Sequence, residues 1–166
     1  MLDGWTLCPQ CGNQLTRGDN VVECPACGFF LYAHSAATAS ALPEDEGGRV
    51  LLARRAHEPF RGLWDLVGGF LAEGEHPADG ARREVREETG VELELGRFLG
   101  LWMGDYGGRA TLNLVWLGRM RAGELVAADD VAELRWFAPD ELPSPDKLAF
   151  DGLISDVLRA WRNEHA

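Results

Sequence analysis

The chain has 166 residues, 46% of them hydrophobic and 26% charged, enough for one ordinary domain and a small extra module. Its net charge of −11, with Lys147 as the single lysine, argues against a protein that neutralises a nucleic-acid backbone and suits one that recruits divalent cations through clustered carboxylates. The opening residues show neither a basic nor an apolar signal region, and no apolar run reaches the length of a membrane span, so the expectation is a soluble, cytoplasmic protein with no membrane partner.

In chain order, residues 1–33 hold all four cysteines and read as one module, and residues 34–166 read as a single α/β domain. Ala36 to Leu42 and Val50 to Arg54 are predicted strands, joined by the polar turn Pro43 to Gly48. A short strand over 65–70 ends in glycines. A helix is predicted over 77–89, with Pro77 in its first turn and Gly90 just past its end. Residues 91–102 and 110–120 are strand-rich, with the clearest alternation from Thr111 to Leu117. Between them, 103–109 is predicted to be a glycine-rich loop that shapes a substrate pocket. Another short strand covers 133–138. A last helix is predicted to begin near Ser144 and Pro145, with Leu153, Ile154, Val157, Leu158 and Trp161 on its apolar face.

The cysteines form two CxxC knuckles, Cys8 with Cys11 and Cys24 with Cys27, twelve residues apart, each followed by a glycine. Two intervening residues let both sulfurs turn onto one ion, and Gly12 and Gly28 permit the tight turn that follows. The pattern resembles a zinc ribbon in which four thiolates hold a structural Zn²⁺. Arg17 is the ribbon's one arginine, against Asp3, Asp19 and Glu23, so its expected role is to staple a segment too short for its own core. Trp5, Phe29 and Phe30 are expected to pack on the main domain or on a second subunit.

The predicted helix places Ala78, Ala81 and Val85 on a buried stripe, with Glu84, Glu87 and Glu88 together on one flank. Like charges at this spacing weaken a helix, and a cation between them reverses the sign. Arg83 is placed to hold Glu87 one turn on. The segment from Gly69 to Val91 looks like the Nudix box: Gly69, Glu75, Arg83, Glu84, Val85, Glu87, Glu88, Gly90 and Val91 fill every fixed position over 23 residues. The resemblance implies the Nudix α/β/α sandwich with a mixed sheet, preceded here by the small ribbon, and hydrolysis of a nucleoside diphosphate linked to another group. Carried over by position, Glu84, Glu87, Glu88 and the carbonyl of Gly68 would bind Mg²⁺ or Mn²⁺, and Arg83 would orient the glutamates with Glu75 as its partner. Val67 stands where relatives usually carry proline, which predicts a looser strand end before Gly68.

The chemistry implied is attack of water on a phosphorus, with metal stabilising charge and a carboxylate taking the proton. Glu84 or Glu87 could take it. Relatives can supply a further acid from a later loop, and within Asp129 to Trp136 Glu133 is the choice. Arg54 and Arg109 are candidate phosphate contacts, and Tyr106, Trp102 and Trp64 are candidate base-stacking residues. Ribbon-bearing Nudix proteins resemble NADH diphosphatases, but residues 97–109 lack the Ser-Gln-Pro of that subgroup, and no proline follows the box before Pro139, as ADP-ribose hydrolases often have. An ADP-ribose-like small nucleotide remains the first expectation. Removal of a nucleotide cap from RNA, or a non-catalytic nucleotide sensor, is the alternative. Relatives of this family are frequently homodimers.

Overall fold

The computed structural model describes residues 2–150 and 152–163. The first three strands, β1 (Thr16–Arg17), β2 (Val21–Glu23) and β3 (Phe30–Tyr32), form a small antiparallel sheet that carries the cysteine knuckles. Seven more strands follow: β4 (Ala36–Pro43), β5 (Val50–Arg55), β6 (Trp64–Asp65), β7 (Val67–Phe70), β8 (Leu93–Tyr106), β9 (Arg109–Met120) and β10 (Val131–Phe137). They make a mixed four-stranded sheet in the order β7-β4-β9-β8 and an antiparallel three-stranded sheet in the order β10-β5-β6. The parallel pair β4 and β9 forms the centre of the mixed sheet, with Thr38 opposite Asn113.

Two helices cover the sheets. Helix α1 (Pro77–Thr89) begins at His76, whose Nδ1 accepts the Ala78 amide at 3.2 Å, and ends at Gly90 with φ of 73°. A left-handed C-terminal residue favours glycine, and the Gly90 amide returns to the Arg86 carbonyl. Its Val85 packs with Ala41, Leu51, Ala53, Val67 and Leu93 on one side of the sheets. Helix α2 (Leu153–Asn163) packs Ile154, Val157, Leu158 and Trp161 against Leu42, Val50, Leu52, Val115 and Phe137 on the other. The period of two in β5 divides its residues between the cores, Val50 and Leu52 to one and Leu51 and Ala53 to the other. The result is the α/β/α sandwich with a mixed sheet.

Several boundaries differ from expectation. Residues 103–106 continue β8, and only Gly107 and Gly108, both at positive φ, make the turn to β9. The predicted loop is therefore a tight hairpin, as two glycines between alternating strands permit. Pro145–Lys147 is a single 3₁₀ turn, and α2 starts only at Leu153. The Ser144 hydroxyl donates to Asp146 at 2.6 Å instead of capping the helix. Phe30 and Trp5 are exposed rather than packed on the main domain: strand alternation turns Phe30 outward with Tyr32, the two rings meeting edge to face at 5.6 Å, and Trp5 is 40% exposed. Val67 sits within β7 and pairs with β4. It is fully buried opposite Ala41. No helix among the described residues is long and apolar enough to cross a membrane.

Candidate active site and cysteine cluster

In the ribbon, Gly12 and Gly28 sit at φ of 74° and 77° and return their amides to the Cys8 and Cys24 carbonyls. These matching turns bring all four sulfurs within 4.8 Å of one another. Cys8 and Cys24 are buried, Cys11 and Cys27 exposed. The Asn13 side chain donates to Cys11 Sγ at 3.4 Å and, with the Asn13 backbone, holds that thiol down at about 6. Four convergent sulfurs, one of them stabilised as thiolate, form a cluster that fits a metal ion.

The main site grows from α1 and the strand that precedes it. Arg83 grips both oxygens of Glu75 at 2.7 and 2.8 Å, and reaches Glu84 at 2.8 Å, Glu87 at 3.0 Å and the Phe70 carbonyl at 3.2 Å. Glu75 also accepts the Ala72 amide at 2.9 Å, so the loop between β7 and α1 is tied to the helix at one guanidinium. The Arg83 bonds hold the Glu75 carboxyl far below its ordinary range, at about 2.

The three box glutamates are not equivalent. Glu87 is exposed and leans on Arg83, Glu84 is half-buried, and Glu88 is buried and accepts the Gly68 amide at 3.1 Å. The flank expected to carry all three glutamates divides by burial, with Glu84 and Glu88 turned toward β7 and Glu87 left in solvent. The two glycines of β7 make this approach possible. A Cβ on Gly69 would lie 2.7 Å from the Glu84 carboxylate, and one on Gly68 would lie 2.5 Å from the Ala39 carbonyl and from Ser40.

Two acids complete the cluster, and sequence reasoning missed both. Asp65 is at the end of β6, and Asp130 directly precedes β10. The loop before Asp130 is fastened to the end of α1 by Val126 N to Thr89 O at 3.0 Å and Ala128 N to Glu88 O at 3.1 Å. Burial, then the charges of Asp130, Glu84 and Asp65, push the Glu88 carboxyl up to about 10. Burial also raises Glu84, with Glu87 and Asp130 adding to it against Arg83. Asp65 rises to about 6 through burial, opposed by Arg55 and supported by Asp130. Neighbouring carboxylates that repel one another are a set that a divalent cation can draw together.

A cavity of about 110 Å³ opens beside this cluster, lined by Gly68, Gly69, Asp65 and Asp130 and also by Tyr106, Phe150 and Asn113. The structure brings Tyr106 to it, while Arg109 lies over the Phe70 ring, which also lines it. Trp102 lines an adjoining cavity with Phe60 and Asp105. Neither Arg54 nor Glu133 is among the lining residues. They pair with each other at 3.2 Å on the outer face of β5 and β10, Arg54 lying near Trp64. Arg55, one residue on, points the other way: it pairs with Asp65 at 3.0 Å, donates to the Pro59 carbonyl at 2.8 Å, and lies under Phe150 and Tyr106.

An acid-lined glycine strand end, a helix holding glutamates through one arginine, and a cavity beside them define a metal-dependent hydrolase of the diphosphate-cleaving kind. The NUDIX domain pattern matches residues 34–156, and the chain belongs to the Nudix family. It is 35% identical over 139 residues to an ADP-ribose pyrophosphatase of Methanocaldococcus jannaschii, a match covering 81% of this chain and 79% of that protein. It is 31% identical over 142 residues to the NAD-capped RNA hydrolase NudC of Pseudomonas aeruginosa, covering 82% of this chain but only 49% of NudC. The chain thus spans about half the length of that relative. Among solved structures, a NUDIX hydrolase from Nitrosomonas europaea superposes with a TM-score of 0.82 at 26% identity, over 96% of this chain and 92% of the other.

Proposed function

We propose that the protein hydrolyses the diphosphate of an ADP-ribose-type nucleotide, and that its small-molecule substrate lies with the diphosphate over Gly68 and Gly69. The observation that carries this reading is the group of mutually repelling acids Asp65, Glu84, Glu88 and Asp130, of which Asp65 and Asp130 line the cavity together with Gly68 and Gly69. The similarity to an ADP-ribose pyrophosphatase over most of both chains supports the substrate class.

Glu84, Glu87, Glu88 and the Gly68 carbonyl would hold Mg²⁺, or Mn²⁺ in its place. The bound ion supplies neutralisation of phosphate charge and a more acidic water. Arg83 keeps one oxygen each of Glu84 and Glu87 and so fixes where their remaining oxygens point. Glu84, backed against Gly69, takes the proton of the attacking water. The water oxygen forms a bond to phosphorus, the bridging P–O bond breaks, and its electron pair leaves with the departing phosphate. Arg55 offers its cationic edge to the substrate phosphates beside Asp65, and Arg109 does so at the rim. We assign the acid from the later loop to Asp130 rather than Glu133, because Asp130 faces the cavity and Glu133 is paired with Arg54 outside it.

The ribbon cysteines would hold a structural Zn²⁺. Phe30 and Tyr32, exposed on the ribbon, offer a contact face for a homodimer, which light scattering on the purified protein tests. The similarity to NudC favours a second reading, removal of an NAD cap from RNA. It stays second because the ribbon's one arginine, Arg17, is engaged by Asp3 at 2.6 Å and leaves little positive surface for a transcript.

Hydrolysis of ADP-ribose, NADH, diadenosine polyphosphates, nucleotide sugars, nucleoside triphosphates and NAD-capped RNA, by wild type and Glu87→Gln, tests both readings. Preference for ADP-ribose, lost in the variant, is expected. Preference for capped RNA would exchange the two readings, and no cleavage at all would refute both.

A further inference from the structure

The faces of β4 and β9 that look toward α2 change character along their length. At one end, Leu42, Val115 and Leu117 pack under α2. At the other, on the same faces, stand Thr38, Ser40, Thr111 and Asn113, and all four line the cavity. Thr38 and Thr111 are buried, at 8% and 4% exposure. Buried polar side chains on central strands cost stability unless they are satisfied, and an apolar residue at each position would extend the core.

These groups form a chain with a defined direction. The Thr38 hydroxyl donates to Asn113 Oδ1 at 2.8 Å. The Asn113 amide then donates to Thr111 Oγ1 at 3.0 Å and to the Trp102 carbonyl at 3.2 Å. With both amide protons used and its oxygen accepting from Thr38, Asn113 is locked in one orientation. Thr111 Oγ1 receives a proton and keeps its own to donate. Thr38 gives its proton away and keeps lone pairs to accept. The cavity wall therefore presents a donor at Thr111 and an acceptor at Thr38, both neutral, with the Ser40 hydroxyl beside them and the Tyr106 and Phe150 rings on the same lining.

We propose, resting on the diphosphatase reading above, that this cavity is the nucleobase compartment and that the Thr38–Asn113–Thr111 chain reads the edge of the base. Neutral donor and acceptor groups beside aromatic rings match a heteroaromatic ring with a donor and an acceptor side by side, while the charged lining residues Arg55, Asp65 and Asp130 are left to the diphosphate and its cation. The substrate then enters base first, with its diphosphate left at Gly68, Gly69 and the carboxylates. Gly104 belongs to the same device. It lies opposite Thr111 on β8, and a Cβ there would stand 2.9 Å from Asn113 Nδ2 and 3.0 Å from Thr111 Oγ1.

Binding of adenosine, measured by calorimetry without added Mg²⁺ or Mn²⁺, tests the proposal apart from catalysis. Wild type is expected to bind adenosine and not ribose. Thr38→Val and Asn113→Asp keep side-chain shape, and each is expected to weaken adenosine at least tenfold, as is Gly104→Ala, with melting temperatures confirming that each variant is folded. In turnover, the loss is expected in KM for ADP-ribose rather than in kcat. Adenosine bound equally by wild type and by the folded Thr38→Val and Asn113→Asp variants, or not bound by wild type, would overturn the proposal. Wild type that binds adenosine through these residues yet cleaves no diphosphate would instead refute the diphosphatase reading and leave the base compartment standing.

Discussion

Replacing Gly69 with alanine separates the chemistry of this site from its fold. Gly69 is not among the glycines at positive φ, so alanine meets no backbone penalty there. Its Cβ would stand 2.7 Å from the Glu84 carboxylate, closer than real Cβ contacts come, and the atom it meets is a side chain rather than backbone. Glu84 must withdraw by about 1 Å, a displacement that costs on the order of 100-fold in rate when it misplaces a reacting group, or about 2.7 kcal/mol of activation free energy. Gly68→Ala behaves differently. Its Cβ would meet the Ala39 carbonyl and the Ser40 Cα at 2.5 Å, so the neighbouring strand itself must move. Steady-state kinetics on ADP-ribose and thermal unfolding should be run on both. Gly69→Ala is expected to lose about 100-fold in kcat with a melting temperature near wild type. Gly68→Ala is expected to lose several degrees of melting temperature as well. Full kcat in Gly69→Ala would show that the position of the Glu84 carboxylate does not govern turnover.

Arg83→Lys is expected to be nearly as damaging to kcat as Arg83→Ala, because a lysine cannot span Glu75, Glu84, Glu87 and the Phe70 carbonyl together; recovery of activity in the lysine variant would contradict this. Asp130→Asn is expected to reduce turnover far more than Glu133→Gln, with the reverse order returning the role to Glu133. The Glu75 carboxyl is depressed in the fold to about 2 from an ordinary 4.5, so its stabilising contribution is fully present above the unfolded value and lost as pH falls toward 2. The melting-temperature gap between wild type and Glu75→Gln should be constant above about pH 5 and close at lower pH; a gap that persists at pH 2 would refute the assignment. Trp161→Ala removes the largest fully buried side chain and its 3.2 Å bond to Glu44, and should cost about 3–5 kcal/mol in denaturant unfolding without changing KM.

What could be read from the chain was whatever repeats locally. Pro77 and Gly90 bracket a helix whose observed ends are the expected ones, and the spacing of the knuckle cysteines required no knowledge of distant partners. What escaped was parity and long-range pairing. Arg54 and Arg55 are adjacent in sequence but face opposite sides of β5, and nothing local decides which side holds the cavity. The register of β10 against β5 shifts between Val131 and Glu133, a break that spacing alone does not reveal, and Asp130 is brought to the cavity by hydrogen bonds from its loop back to α1. Thr38 and Asn113 look like ordinary members of alternating strands. Only the parallel pairing of β4 with β9, 75 residues apart, sets them opposite each other. The last helix begins later than Ser144 and Pro145 signal, because that start signal is spent on one 3₁₀ turn.

The central claim is tested most directly by cleaving ADP-ribose in ¹⁸O-water with Mg²⁺ and following the products by ³¹P NMR, with wild type beside Glu88→Gln. The account predicts AMP and ribose 5-phosphate, one of them carrying ¹⁸O on its phosphate, and no products from the variant. Intact ADP-ribose with wild type, ¹⁸O on carbon rather than phosphorus, or full activity in Glu88→Gln would contradict it.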